Sequence, residues 1–566
     1  MDKNPESNMT KPTNAIETIE ITNFGGRLTR QLNGDLNSGF AKFVQSSGYD
    51  PFSKPGNLTW LESPVDITGN VTDLILAAKP RTEGVAPALQ YIYAVGHTGN
   101  LYKITPNTAN TPNVDTASVI GKLTANSPTF TFGASMDFYQ SASSVAGSYT
   151  KIYVGSNNQV NAVALDGSGD TFIGSAGYKG NSFRPLKQFV GKLLFGNGNT
   201  IGAIDATGTV TSSVIGTGQG NLYSELSPAL PVEAIVHDMD ISPDGNYLLV
   251  TASNIPNEVV SNSTNSPDRQ SAASSDGAIF SWNGVDAAIT ASKTIPSYAV
   301  TALQTYLDKN FFFSNDAFGA SLNDGTNKLL TLPNNKSPLP NSILVNGNFI
   351  CWIAPESDAF GRLFASMYYF GSLDQDNPPG LYRVMRQFSA SGVTGFITQT
   401  PMHILTNNKY TTLNTSKSSI VTAGYGKHYF STLDVSVSAD TYKLMRFLIT
   451  PTGTGTLPAG AYETQTQLFS KKITVKQIRV YTEPTVTGNS FIINCVGSDG
   501  ATITNGTFTY TFAAGTDPTK LQGALERIDF NPAMKDTYAL AINISQNGTT
   551  NFTIKKIEVD WAYSGK

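Results

Sequence analysis

Sulfur, histidine and charge are all scarce in this chain. Its 566 residues include two cysteines and four histidines, and only 14% of them are charged. Cys351 and Cys495 lie far apart, so the sequence predicts neither a disulfide between them nor a thiolate cluster for zinc. Each reads as a small buried hydrophobe. His97, His237, His403 and His428 show no metal-binding spacing, and His97 and His237 sit among apolar residues, so they read as hydrogen-bonded structural imidazoles.

Other absences narrow the function further. No Gly-x-Ser-x-Gly elbow and no phosphate-binding loop occurs, which removes the motifs of α/β-hydrolases and P-loop enzymes. The formal net charge of −4 provides no basic field for a phosphate backbone, so no sequence-specific nucleic acid is expected as a partner. No run approaches about 18 consecutive apolar residues, and the opening MDKNPESNMTKPTNA has no apolar signal core, so no membrane span and no signal peptide are expected. The protein is then made in the cytosol and reaches any outside site by another route.

Gly, Asn, Ser, Thr and aromatic residues are abundant, and they are organised. From Trp60 to Pro451 a unit recurs: a β-rich run, a Gly/Asn/Asp turn, and a second β-rich run. It is clearest in Tyr91–Thr105, Lys151–Asp166, Lys187–Asp205 and Ile235–Ser253. Apolar residues alternate or run in short blocks there, and the turn residues tolerate positive φ, so each unit reads as a hairpin. Recurrence every ~45–55 residues points to β-propeller blades. The blades fall near Ile67–Thr105, Thr129–Asp166, Leu186–Val214, Val232–Val285, Ala299–Leu332, Ser342–Met385 and Ser418–Thr450. The polar stretch Asn257–Asp276 reads as an exposed insert, and Thr450–Gly460 as an interdomain linker.

The predicted fold class is therefore all-β: an about seven-bladed β-propeller over 60–455, an extended N-terminal arm over 1–59, and an antiparallel, jelly-roll-like β-sandwich over 463–566. The arm is rich in Phe and Leu without a regular period, so it is expected to lie along a surface, its own domain's or a neighbouring subunit's, and to mediate assembly. The sandwich is read from strictly alternating runs such as Lys472–Tyr481 and Asp536–Ser545.

The search for chemistry assigns no catalytic, cofactor-binding or metal site residue and no cofactor. Asp374, Gln375, Asp376 and Asn377 lack the Gly spacing and bidentate Glu of a calcium loop and read as a solvated turn. Ser242, Asp244 and Gly245 come nearest to the Asp-box of sialidase propellers, but once only. Gly196 and Gly198 read as a hairpin turn, and Gly216, Gly218 and Gly220 as another. Phe311–Phe313 and Met367–Phe370 read as blade core rather than a sugar-stacking platform.

Three features together resemble the β-propeller virion structural proteins of tailed bacteriophages, particularly the nozzle-type proteins of short-tailed phages. They are the opening stretch from Ile21, Phe24, Gly25, Gly26, Arg27 and Leu28 to Pro55, Gly56, Asn57 and Leu58, the propeller without catalytic motifs, and a terminal β-module ending in Lys555–Trp561. Here that module follows the propeller, a departure from the nozzle pattern. The resemblance implies a non-enzymatic virion (phage tail) protein that assembles through its arm and propeller. Its implied partners are other tail proteins and copies of itself in a symmetric ring. The rival reading is a glycan-binding or glycan-degrading propeller used in host attachment, with a host surface glycan as partner. A bacterial surface or scaffold propeller is a third, and it needs an export signal.

Overall fold

A computed structural model gives the fold. With brief internal gaps it describes residues 16–24, 43–60, 65–106, 115–142, 148–174, 178–211, 235–253, 277–331, 343–354, 380–404, 420–448, 461–511 and 526–564. Between 332 and 441, Ile343 alone has a described side chain. The described residues are strands, turns and bends, with no helix among them. Two compact units divide the chain: 64–382 with 404–449, and 1–63 with 383–403 and 450–566.

The first unit is a β-propeller built of small antiparallel sheets. The first blade orders its main strands Thr116–Lys122, Asn100–Thr105, Leu89–Gly96 and Ile75–Glu83. The second runs Ser135–Ala142, Ser148–Gly155, Val160–Ala164 and Thr171–Phe172, and the third Leu186–Phe189, Lys192–Asn197, Thr200–Ile204 and Val210–Thr211. The fourth runs Ile235–Ile241, Leu248–Ser253, Gly277–Trp282 and Ala291–Ile295. The fifth runs Ala299–Tyr306, Lys309–Asp316, Gly319–Asp324 and Asn327–Thr331. These five blades have described cores, and five is the number established here against the seven expected. Past Thr331 the sheets are followed mainly by backbone.

The cores explain why the sequence shows apolar blocks as well as alternation. Tyr139, Tyr153 and Val160 of the second blade pack with Leu186, Leu193 and Phe195 of the third. Leu194 and Ile201 of the third pack with Val236, Val250, Phe280 and Trp282 of the fourth. A middle strand is therefore apolar on both faces: Leu193, Leu194 and Phe195 are all buried. Each side chain of that size contributes roughly 2–3 kcal/mol when fully buried.

The sequence reading ended the first, second and fourth blades one strand early, before Thr116–Lys122, Thr171–Phe172 and Ala291–Ile295; Thr171–Phe172 is too short to show a period. A short segment ties the first sheet to a later one. Val65–Asp66 pairs with Asp440–Leu448, and Thr68–Gly69 pairs in parallel with Thr116–Lys122. Arg446 and Asp115 form a buried ion pair across this seam at 2.9 Å.

The second unit is a nine-stranded sheet network in the order Glu17–Ile21, Ile554–Tyr563, Gln467–Thr482, Thr537–Asn547, Ala461–Thr464 and Phe43–Ser47, with three strands branching from it. Of the residues read as an extended arm, Glu17–Ile21 and Phe43–Ser47 are strands of the sheet that holds the C-terminal strands, while Tyr49–Asp50 pairs with Thr59–Trp60 in a separate two-stranded sheet. Ile21, Phe24, Tyr49 and Leu58 are buried in one core with Tyr462, Ile478, Ile542 and Ile557. The Tyr49 hydroxyl donates to the Ile544 carbonyl at 3.1 Å and the Tyr462 hydroxyl to the Phe24 carbonyl at 3.0 Å. Apolar residues without a period are what such a segment needs, since it crosses several core positions without forming one long strand.

Candidate functional site

The most organised polar arrangement in the propeller lies on the first strands of its blades, which are sheet edges and so leave one row of N–H groups unpaired by their own sheet. Aspartates from the neighbouring blade fill that need. Asp137 of the second blade accepts Lys79 from the first blade on Oδ1 and the Gln188 N–H of the third blade on Oδ2 at 3.1 Å. Asp240 of the fourth blade repeats this, accepting Lys187 of the third on Oδ1 and the Thr305 N–H of the fifth on Oδ2 at 2.5 Å. Asp238 accepts the Leu303 N–H at 2.8 Å.

Each carboxylate is also held from its own strand, by the N–H of Phe138, Met239 or Ile241. Lysine, aspartate and backbone amide thus form a relay that crosses one blade boundary per step. Burial pushes the Lys187 ammonium down, but Asp240, with help from Asp137 and Asp238, raises it above its ordinary value. A carboxylate committed to an ammonium and two amides is well placed to hold blades together, with three of its roughly four acceptor sites in use.

A second set of polar clusters secures the other strand ends. In the first three blades a glycine stands at or one residue before the end of the second strand, Gly96, Gly155 or Gly196, where a Cβ would fall 2.4 Å from Asp73, 2.4 Å from the Arg184 carbonyl, or 2.7 Å from Pro185. The chain entering a first strand crosses there at backbone contact distance. In the first blade Asp73 is fully buried, and its Oδ2 accepts Tyr102 at 2.6 Å and Asn100 at 2.7 Å. Burial alone would raise this carboxyl; the groups of His97, Thr98, Tyr102 and Asn100 around it bring it down to about 2.

In the second blade Asn161 and Gln159 hold the Ala125 carbonyl, and Asp170 accepts the N–H groups of Thr124 and Ala125 at 2.6 and 2.7 Å. In the third, Arg184 donates to Asn197 at 2.7 Å and lies 5.0 Å from the Tyr178 ring centre, with burial pushing its guanidinium down to about 10.

The residues singled out from sequence are placed as follows. His97 sits in the Asp73 cluster: the Leu74 N–H donates to its Nδ1 at 3.2 Å, and its ring lies 4.8 Å from that of Tyr442. His237 is buried on the first strand of the fourth blade. His403 and His428 lie on the strands Thr394–Ile404 and Lys427–Val435, and Cys351 on Phe349–Ala354; their side chains fall outside the described residues. Cys495 is a buried free thiol in the second unit, pushed up to about 12 by burial. Phe311, Phe312 and Phe313 are buried blade core, as read. Gly198 stands at the hairpin turn after Lys192–Asn197, with φ 62°.

Asp244 forms a turn closed on itself, bound by Ser242 and by Asn246 at 3.0 Å, and those hydrogen bonds lower its carboxyl. The segments 367–370, 374–377, 216–220, 257–276 and 450–460 lie outside the described residues. Among the described residues no three His, Cys, Asp or Glu side chains gather as a metal site, and no helix is long and apolar enough to cross a membrane.

Sequence reasoning missed Asp137, Asp238 and Asp240. The available signal was an acid standing between apolar residues of an edge strand, as in SMDFYQSA and IVHDMDI.

No protein-family model and no curated protein matches the chain. Among solved structures it is similar to the computationally designed protein Ika8, with 12% identity and a TM-score of 0.36 over 68% of this chain and 100% of that one. It is also similar to a chain of a nidogen/laminin complex, with 9% identity and a TM-score of 0.27 over 45% of this chain and 76% of that one. At these TM-scores neither likeness bears on function.

Proposed function

We propose that the protein is a non-enzymatic structural component of a tailed-bacteriophage virion, carried in the tail as a nozzle, ring or tail-associated protein. One observation carries this reading: Asp137, Asp238 and Asp240, on the first strands of the second and fourth blades, are spent on binding neighbouring blades. A disc whose central acids tie its blades suits load-bearing more than substrate turnover. The phage-like opening residues add support. Ile21, Phe24 and Leu58 share a core with Ile557 and Val559 of the closing strand, so the stretches that carry the resemblance are those that join the two chain ends.

Two finer features belong to the same reading. We take the nine-stranded network, closed over one core, as the sandwich. We also count the sheets Ile343–Ile404 and Ile420–Leu448 as blades, seven in all, because their first strands continue the row. Ile343–Asn346 lies beside Ala299–Tyr306, and Ile420–Thr422 lies beside both Ile343–Asn346 and Ile75–Glu83. The partners are other tail proteins and further copies of this chain in a symmetric ring.

Mass spectrometry and cryo-EM of particles from a phage encoding the chain test the assignment. The expected result is a ring of propeller-shaped density in the tail, and absence of the protein from purified particles overturns it. Incubation with host envelope polysaccharide and peptidoglycan is expected to release no reducing ends. Release that is lost in Asp137→Asn replaces the structural reading with a depolymerase.

A further inference from the structure

Two surfaces of this chain carry opposite charge around exposed apolar side chains. The first is on the propeller. The turns joining first to second and third to fourth strands lie at one end of each antiparallel blade, and Val190, Val285 and Leu307 stand there 55%, 78% and 72% exposed. These turns are neighbours. A Cβ on Gly284 would fall 2.5 Å from Val190, and the bond from Thr305 to Asp240 sets the turn at Leu307 beside the turn at Asp244.

Val190 and Leu307 hold φ of 45° and 53°. Neither an aliphatic valine nor a leucine favours this left-handed region, where glycine or asparagine serves a hairpin better. Neither side chain gains burial in return. Around the three aliphatic tips, among the described residues, are the exposed Asp244, Asp286 and Asp308 against the exposed Lys192.

The second surface is on the other unit. Lys471, Lys472, Lys476 and Lys535 are exposed with one acid, Asp536, among them. Tyr538 stands 55% exposed beside them, with the Lys472 ammonium 5.6 Å from its ring centre. The hydroxyls of Ser564 and Thr474, followed by Lys472 and Lys476, lower the Asp536 carboxyl, so these groups form one patch.

We infer that the acidic aliphatic turn face of one copy docks the basic Tyr538 patch of a second copy, head to tail. The charge complementarity selects another copy of this chain as the occupant, and the exposed Tyr and aliphatic tips supply the desolvated centre that such contacts need. Two different patches in contact make a heterologous interface, which closes into a ring when the rotation between copies permits. The inference rests on the ring-forming reading above.

The test is sedimentation of the full chain over a range of concentrations at low and high salt. Wild type associates, and more weakly at high salt. The charge reversals Lys472→Glu with Lys476→Glu, and separately Asp244→Lys with Asp308→Lys, each weaken association by roughly tenfold or more. Their folds are checked by circular dichroism. Mixing the two variants in equal amounts restores association, because each retains the surface the other lacks; two patches that paired with themselves would not be rescued. A monomeric wild type, unchanged association in either variant, or no rescue on mixing overturns the contact. Incorporation into particles is read in parallel: a monomeric protein that still enters the tail removes only this contact, and a self-associating protein absent from particles removes only the tail assignment.

Discussion

The two units use the chain in opposite ways. In the propeller each blade is a meander of consecutive strands, and the polar ties between blades join residues close in sequence, with Lys79 and Asp137 58 positions apart and Lys187 and Asp240 53 apart. In the other unit the ties span almost the whole protein: Tyr462 to Phe24 across 438 positions, Tyr49 to Ile544 across 495, and Thr18 to Asp560 across 542. Blades can therefore form as the chain emerges, whereas the second core is complete only when the C-terminal strands meet the N-terminal ones. Among the described residues the propeller's comparable closure is the seam where Val65–Asp66 pairs with Asp440–Leu448 and Arg446 meets Asp115.

The sharpest break in this comparison is deletion of residues 1–60, which removes Ile21, Phe24, Tyr49 and Leu58 from the second core while leaving the seam segment at 65–69. Loss of large core side chains costs about 3 kcal/mol each, so the second unit should fail to fold while the propeller stays native. Calorimetry and limited proteolysis read this: one transition should vanish and cleavage should move to 461–564. A truncated chain that keeps both transitions would show the N-terminal strands to be dispensable.

Next in size is Asp240→Ala. It strands the Lys187 ammonium and the Thr305 N–H at once, a loss of roughly 3 kcal/mol confined to the propeller. Its melting transition should fall and that of the second unit hold still; equal shifts in both would refute the local role of the relay.

Acid should act in the second unit through Glu558. Burial would raise this carboxyl, but Lys556, Arg479 and Tyr481 hold it down to about 2 against an ordinary 4.5. Its folded value is depressed, so its contribution is present above 4.5 and is lost as pH falls from there toward 2. The thermal midpoint of this unit should drop across that window, and less steeply in Glu558→Gln. The same slope in both proteins would assign the acid sensitivity elsewhere.

The smallest expected effect is a gain. Val190→Asn places Asn before Gly191 in a two-residue hairpin where both positions have positive φ, and should stabilise the propeller by about 0.5–1 kcal/mol. A lower midpoint would mean that the valine contributes packing the fold depends on.

Blade hairpins were legible because their signals are local: Val236, Met239 and Ile241 before the turn at Asp244, and Leu248 to Val250 after it, form a period and a turn within some fifteen residues. Phe311–Phe313 as core was legible for the same reason. The relay was not, because an aspartate in a strand looks the same in sequence whether it meets water or the next blade's amide. Residues 1–59 were left between their own domain's surface and a neighbour's for a related reason: irregular apolar residues announce burial but not the surface that buries them.

By itself, then, the sequence determined the all-β class, the succession of hairpins and the apolar content of each strand, since these follow from periodicity and turn chemistry over a few residues. Tertiary structure alone decided that Asp137 and Asp240 tie blades and that Ile21, Phe24 and Leu58 complete the core of the C-terminal strands. Those outcomes depend on which edge N–H groups and which open core positions come within bonding distance, and only the folded chain brings residues hundreds of positions apart to that separation.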